Sequence, residues 1–338
     1  MTFQITLSQS GHQFQVEDNE SVLDAAIRQG IGLPYGCRNG QCGNCQGRIK
    51  SGTFQYQKAI TALGQQQQAA GQALLCQAFP QSDLEIEIDE LTHTREVPTR
   101  RFPAKVTGFK QISHDVIQVI LSLPNNFRLA FFAGQYINFI LSDGRRRSFS
   151  IANAPHHDGQ LELHVRHIKG GEFTSEVFDG MQLKDIVRIE GPMGTFFLRE
   201  KSPRTAILMA GGTGFAPING IVEHVITKNL PRDLHIYWGV RQFADLYFHQ
   251  QALRWSQENE NIYYTPVLSN CDATDNWSGR TGFVHEVVLQ DFNDLDNIEV
   301  YASGPPVMVY AGRDAFVEKG MDSTHYYSDA FEFSNVKK

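Results

Sequence analysis

Cys37, Cys42 and Cys45 stand at C-x4-C-x2-C spacing in a segment dotted with Gly36, Gly40, Gly43 and Gly47, and Cys76 follows in Leu74-Leu75-Cys76-Gln77. Four thiolates so spaced form a ligand set for a [2Fe–2S] cluster. The glycines suit that chemistry. Cluster sulfurs need backbone N–H donors close by, and a loop wrapped tightly around them needs positions without a Cβ. Zinc and disulfides are the alternatives. Zinc sites favour C-x2-C paired with a second C-x2-C or a His pair, and no second pair occurs here. Disulfide frameworks suit small secreted chains. The fifth cysteine, Cys271, has no partner at ligand spacing and reads as an ordinary loop or packing thiol.

Three further stretches carry chemistry. In Arg147-Ser-Phe-Ser150, alternating positions are expected to project an arginine, an aromatic and a hydroxyl to one face: a cation for phosphate, a plate for a flavin ring and a donor for a ring edge. An ordinary barrel strand is the alternative. Gly170-Gly171-Glu172-Phe173-Thr174 opens a helix whose backbone N–H groups could meet a pyrophosphate. Gly211-Gly212-Thr213-Gly214 follows the apolar run Thr205-Ala-Ile-Leu-Met-Ala and precedes a helix periodic through Ile218, Ile221, Val222 and Val225. Strand, glycine loop and helix make a nucleotide-binding βα unit, although the loop is not G-x-G-x-x-G. Gly304-Pro305-Pro306-Val307-Met308 lies at the end of another apolar strand, where ligands of open α/β sheets sit.

These residues need scaffolds. Phe3-Gln-Ile-Thr-Leu and Gln13-Phe-Gln-Val alternate about Gly11 and predict a hairpin. Ser21 is placed to cap a helix through Leu23, Ala26 and Ile27, which Gly30 and Gly32 end. Arg48-Ile-Lys-Ser-Gly reads as a short strand and turn. Gln65 to Gln68 reads as the exposed face of a short helix, and Leu84-Glu-Ile-Glu-Ile as a closing strand. Between 102 and 200, six runs starting at Ala104, Val116, Gln135, Arg147, Leu161 and Ile186 predict a small antiparallel barrel, with a helix over 172–178. From 203 the pattern switches to α/β, with further strands over 233–240, 262–269 and 298–303. Residues 91–101, with Pro98, read as a linker. Its Arg95, Arg100 and Arg101 are solvated or contact a partner.

A chain of 338 residues suggests two or three domains. The expected divisions are 1–91, 102–200 and 203–338. Hydrophobic content of 41% allows real cores, and a net charge of −7 argues against a nucleic-acid binder. No apolar run approaches the ~20 residues that span a bilayer. The first residues lack the basic head of a secretory signal, and thiolates reserved for iron suit a reducing compartment, so a cytoplasmic protein is expected. Charge is uneven. Residues 1–90 hold five Lys/Arg against nine acids, four of the seven net negative charges. Such a surface could steer toward a basic partner, or be merely solvated.

The run Tyr35-Gly-Cys-Arg-Asn-Gly-Gln-Cys-Gly-Asn-Cys45, within residues 1–90 as a whole, resembles the plant-type ferredoxin module. Arg147-Ser-Phe-Ser150 with Gly171 resembles the flavin site of the ferredoxin–NAD(P)H reductase superfamily, whose signature is R-x-Y-S. Gly211 to Gly214, Gly239-Val-Arg241, Asp245-Leu-Tyr-Phe and Gly304-Pro305 resemble that superfamily's nucleotide domain. The implied fold class is multidomain: a β-grasp α+β [2Fe–2S] ferredoxin, an antiparallel flavin-binding β-barrel and an α/β parallel-sheet nucleotide domain.

The resemblance implies roles. Cys37, Cys42, Cys45 and Cys76 would bind the cluster. Arg147 would bind flavin phosphate, Phe149 stack on the ring and Ser150 bond near its reactive nitrogen. His164, Val165 and Arg166 would line the adenine or ribityl side, and Gly171 and Thr174 hold the pyrophosphate. Gly211, Gly212 and Gly214 would approach the nucleotide pyrophosphate, with Thr213 near the nicotinamide. Arg241 and Asp245 would lie by the adenosine ribose. Gly304, Pro305 and Met308 would frame the nicotinamide beside Ser303, where many relatives have Cys. Phe331, in the tail Tyr327-Ser-Asp-Ala-Phe-Glu332, would cover the flavin or only pack against the barrel.

A nicotinamide gives electrons in pairs and a [2Fe–2S] cluster takes one at a time. A flavin, FAD rather than FMN, is therefore expected between them. The expected enzyme passes electrons from NADH, ahead of NADPH, to FAD, to the cluster and to an external protein. The same order of parts occurs in reductase components of oxygenases and in CDP-deoxyglucoseen reductases of deoxysugar biosynthesis; tail and linker look most like the latter. A reductase releasing free flavin and a non-enzymatic redox sensor are the alternatives. His114, His224 and His249 have no partners at metal spacing and receive no role.

Overall fold

A computed structural model describes residues 2–91, 97–157, 159–271 and 277–331. Arg95 and Glu332 lie outside these residues. The chain divides into two compact units, Met1–Pro98 and Thr99–Lys338.

In the first unit β1 (Phe3–Leu7) and β2 (Gln13–Val16) form the hairpin, followed by α1 (Val22–Arg28). Ser21 caps α1 as expected, its hydroxyl accepting from the Asp24 N–H at 3.1 Å. Then come β3 (Gln46–Ser51), β4 (Phe54–Tyr56), α2 (Gln65–Ala69), β5 (Gln72–Leu74), β6 (Ala78–Pro80) and β7 (Leu84–Glu87). The main sheet runs β2-β1-β7-β3-β5, with β1 and β7 parallel, and β4 pairs with β6. No residue of α2 is buried, in keeping with its glutamine-rich sequence. Ile5, Leu7, Phe14, Leu23, Leu74, Leu75 and Ile86 fill one core that includes Cys45 and Cys76.

The second unit opens with β8 (Arg100–Ser113), β9 (Val116–Ser122), β10 (Tyr136–Ile140), β11 (Arg146–Ser150), β12 (Gln160–Arg166), α3 (Glu172–Asp179) and β13 (Ile186–Met193). All six expected strands and the helix are present. They form an antiparallel barrel in the order β11-β10-β13-β8-β9-β12. Alternation decides its inside. Leu161, Leu163 and Val165 of β12 join Val119, Leu121, Ile137 and Ile189 in the core. Glu162, His164 and Arg166 therefore share the opposite face of β12. Arg101 and Arg146 are not free surface charge: both bond to Glu190, at 2.6 and 2.8 Å.

The rest is α/β: β14 (Thr205–Gly211), α4 (Phe215–Lys228), β15 (Leu234–Val240), α5 (His249–Glu258), β16 (Ile262–Leu268), β17 (Arg280–Thr281), α6 (Val284–Asp291), β18 (Ile298–Gly304), α7 (Pro306–Glu318) and β19 (Tyr326–Ala330). The sheet is parallel, in the order β17-β16-β15-β14-β18-β19. Its central strand β14 is an apolar run because both faces are covered. Ala206, Leu208 and Ala210 pack into one core with α4 and α5, Ile207 and Met209 into another with α6 and α7. The strand order reverses between β14 and β18, and the C-terminal ends flanking that reversal form the ligand crevice of such sheets. No described helix is long and apolar enough to cross a membrane.

Candidate functional site

The cysteine loop is irregular backbone held by its own amides. The Cys37 N–H points at the Cys42 sulfur at 3.4 Å, and the Cys42 N–H returns to the Cys37 sulfur at 3.3 Å. Gly40 takes φ +82°, and a Cβ there would lie 2.9 Å from Ile60 Cγ2 and 3.2 Å from Gln77 Cγ. The Gln77 amide donates to the carbonyls of Arg38 at 3.0 Å and Cys76 at 2.9 Å, tying the fourth cysteine to the loop. None of the four is in a disulfide, and three are buried. They interact as two hydrogen-bonded pairs, Cys37 with Cys42 and Cys45 with Cys76. Cys37 is drawn down to about 6, first by the bond from Cys42 and then by backbone N–H groups of residues 39, 41 and 42. Convergent thiols with amides aimed at sulfur fit an anionic iron–sulfur cluster. Cys271 is exposed and belongs to the other unit.

On the barrel, β11 corrects the expectation of a single functional face. The two-residue period puts Phe149 on the core side, its ring 5.7 Å from Phe139 and 5.6 Å from Phe173. Ser150 faces the other way, where its hydroxyl donates to Asp329 Oδ2 at 3.0 Å. Arg147 donates to its neighbour's carbonyl, Arg146 O, at 2.9 Å. The N-cap of α3 is Gly171, which makes no side-chain cap bond, and the first-turn N–H groups of a helix so started suit an anion. Thr174 serves that loop from within, its hydroxyl accepting from Ile168 N–H at 3.1 Å. Val165 lies in the core, whereas His164 and Arg166 face the nucleotide half. His164 is buried between Glu162 and Tyr247.

At the sheet's switch point the structure brings the two glycine turns together. A Cβ on Gly214 would fall 2.0 Å from the Ser303 carbonyl oxygen, and one on Gly211 2.6 Å from Met308 Sδ and 2.8 Å from Pro305 Cδ. The buried Ser303 hydroxyl donates to Gly214 O. Thr213 stays half-exposed in the turn that leads into α4. A Cβ on Gly212 would meet Arg166 Nη1 at 2.7 Å, so the barrel supplies a guanidinium to the glycine loop. Arg166 Nε also lies 3.0 Å from Asp115 Oδ2, close enough for an ion pair but off-axis for a hydrogen bond. Arg241 is exposed. Asp245 is buried, its carboxylate accepting from the Gln242 N–H at 3.1 Å.

The tail joins this site. β19 pairs with β18, setting Asp329 beside Ser303, and the Phe331 N–H donates to Gly304 O at 2.9 Å. Asp329 is the residue that sequence reasoning passed over. The residue keeps some exposed surface, but protein atoms enclose its carboxyl, and burial pushes its pKa up to about 6 against the bond from Ser150. A carboxyl raised in this way destabilises the fold once it must ionise. Below about pH 4 both states are protonated and the cost vanishes; it grows as pH rises and is complete above about 6, reaching up to ~3 kcal/mol. Asp329→Asn should therefore melt higher than the parent protein at about pH 7.5, with a gap that narrows as pH falls and closes below about pH 4. A gap independent of pH would contradict this assignment.

Comparison with known proteins agrees with this geometry. Family models match the 2Fe-2S iron-sulfur cluster binding domain over residues 5–81, the oxidoreductase FAD-binding domain over 103–198 and the oxidoreductase NAD-binding domain over 208–314. The chain is 38% identical over 331 residues to the CDP-6-deoxy-L-threo-D-glycero-4-hexulose-3-dehydrase reductase of Yersinia pestis, covering 98% of this chain and 99% of that one. It is 33% identical to the terephthalate 1,2-dioxygenase reductase component 1 of Comamonas, covering 99% and 98%. Among solved structures, the Amycolatopsis cytochrome P450 reductase GcoB superposes with a TM-score of 0.76 at 31% identity, covering 97% and 98%. The chain thus belongs to the ferredoxin–NAD(P)H reductase superfamily, in the branch with an N-terminal plant-type [2Fe–2S] module, and is an NAD(P)H-dependent oxidoreductase that delivers electrons to a separate protein.

Proposed function

We propose that this reductase oxidises NADH for a dehydratase that acts on a nucleotide-linked deoxysugar. The full-length similarity to a hexulose dehydrase reductase, at 38% identity, carries this reading. Delivery to an oxygenase component is the second reading, favoured by the relatives at 33%. When bound, the flavin turns the hydride's electron pair into single electrons for the cluster.

The chain's own residues bind and orient. Cys37, Cys42, Cys45 and Cys76 hold the cluster. Arg147 and the first turn of α3 take the flavin's phosphates. Phe149, wedged by Phe139 and Phe173, fixes the ring plane. Ser150 and Asp329 hold and move a proton at the flavin edge: the hydroxyl donates to a carboxyl whose pKa, about 6, lets it exchange near neutrality. Gly211 to Gly214, with Arg166, hold the dinucleotide pyrophosphate. Thr213, Ser303, Gly304, Pro305 and Met308 shape the nicotinamide pocket, and Phe331 covers the flavin ring where the nicotinamide enters. Arg241 and Asp245 mark the adenosine side. No compact basic cluster follows Arg241 in the sequence to hold a 2′-phosphate, which favours NADH.

We place the functional divisions at 1–91, 102–200 and 203–338, and the protein in the reducing cytoplasm, with the acidic first unit steering to a basic acceptor. Anaerobic NADH titration, followed by absorbance and low-temperature EPR, tests the reading. Flavin bleaching together with a reduced-cluster signal is expected. Bleaching with a silent cluster, even with the dehydratase present, would sink the relay in favour of a free-flavin reductase.

A further inference from the structure

The face of β12 turned from the barrel core buries an imidazole that the chemistry above does not use. His164 Nε2 lies 2.9 Å from Glu162 Oε1, and Nδ1 3.1 Å from the Tyr247 hydroxyl. Glu162 also accepts from Gln118 Nε2 at 2.7 Å. A carboxylate only accepts, so Nε2 carries the proton and Nδ1 receives the Tyr247 O–H. A buried imidazole bonded at both nitrogens holds one orientation, since leaving either unpaired is costly.

The chain of contacts continues to the glycine loop. The Tyr247 ring stands edge-on to Trp238, 5.0 Å away at 80°. Trp238 stacks on Phe215, the first residue of α4, at 3.8 Å and 12°. Its indole N–H donates to the Gly212 carbonyl at 2.9 Å in buried surroundings. Arg166, two residues beyond His164 on the same face, rests against the other side of Gly212. Gly212 thus meets both the Trp238 indole, against which Tyr247 packs, and a guanidinium carried by β12.

We propose that His164 is a positioning residue for dinucleotide binding: through Tyr247 and Trp238 it sets the orientation of the Gly212 peptide and so the affinity of the glycine loop. This rests on the reading that the loop holds the dinucleotide pyrophosphate. Affinity should depend on a barrel residue that never touches the nucleotide.

The test uses the holoenzyme, with ADP-ribose binding by calorimetry and steady-state NADH kinetics with a one-electron dye. Tyr247→Phe keeps the ring and removes the hydroxyl. It should raise the ADP-ribose dissociation constant and the NADH KM about five- to tenfold, with kcat within about twofold. Trp238→Phe should move them the same way, and the double variant by less than the product of the two, because both act on one path. Unchanged affinity in Tyr247→Phe, even with a lower melting temperature, would overturn the proposal and leave a structural seam. A double variant equal to the full product would overturn the shared path. A wild-type holoenzyme that binds no ADP-ribose would instead refute the glycine-loop reading beneath it.

Discussion

Cys42→Ala should abolish electron delivery to a protein acceptor while leaving NADH oxidation by a small one-electron dye within about twofold of normal. Cys42 is buried, and its amide and sulfur both engage Cys37. Alanine removes one of the four thiolates, so the ligand set for the cluster is incomplete. The candidate flavin and nucleotide residues belong to the other compact unit. Iron content should fall to background, and output to the acceptor by ~100-fold or more. Dye reduction that fell in parallel would mean that the dye draws its electrons from the cluster. Persisting acceptor output would break the relay.

Gly214→Ala should be the most damaging conservative change in the second unit. The added methyl would fall 2.0 Å from Ser303 O and 2.8 Å from Gly304 Cα. Both are backbone, so no rotamer change relieves the overlap, and the glycine loop must part from the end of β18. The NADH KM should rise at least ~10-fold, with a stability loss of ~1–3 kcal/mol. Visible spectra of bound flavin and cluster should persist, because neither candidate site includes Gly214. Stopped-flow reduction across NADH concentrations would read this directly. An unchanged KM would place the dinucleotide elsewhere.

Chemistry was most legible where it is local in sequence. The C-x4-C-x2-C spacing, the strand–glycine–helix run at 205–225 and the six barrel strands each lie within one stretch and carry their own period. Partnerships across elements were not legible. Asp329 matters because β19 lies beside β18 and the end of β11 comes within 3.0 Å of it, a meeting of residues 179 positions apart. The bonds of Tyr247 to His164 and of Trp238 to Gly212 were equally illegible, since only the folded second unit brings these residues together. Ser150 was assigned to the wrong face although period two already separates it from Phe149; the motif's functional grouping overrode its geometry. Asp245 was expected beside the adenosine ribose, and the bond its carboxylate also accepts from the Gln242 amide, a capping role that acids in short turns often take, was not legible from that motif.

The barrel and the nucleotide half form one compact unit, and their seam is made of matched polar pairs. Asn219 donates to Ala152 O at 2.8 Å, Ala154 N–H to Glu223 at 3.3 Å, and Tyr247 meets His164. Such a seam works against recombination. A foreign nucleotide half joined to this barrel would bury these groups unpaired, whereas an exchanged first unit breaks none of them. Chimeras divided near Pro98 should therefore fold and keep dye reductase activity, while those divided between β13 and β14 should not. The first unit is then the exchangeable cassette, and the two halves of the second can be replaced only together.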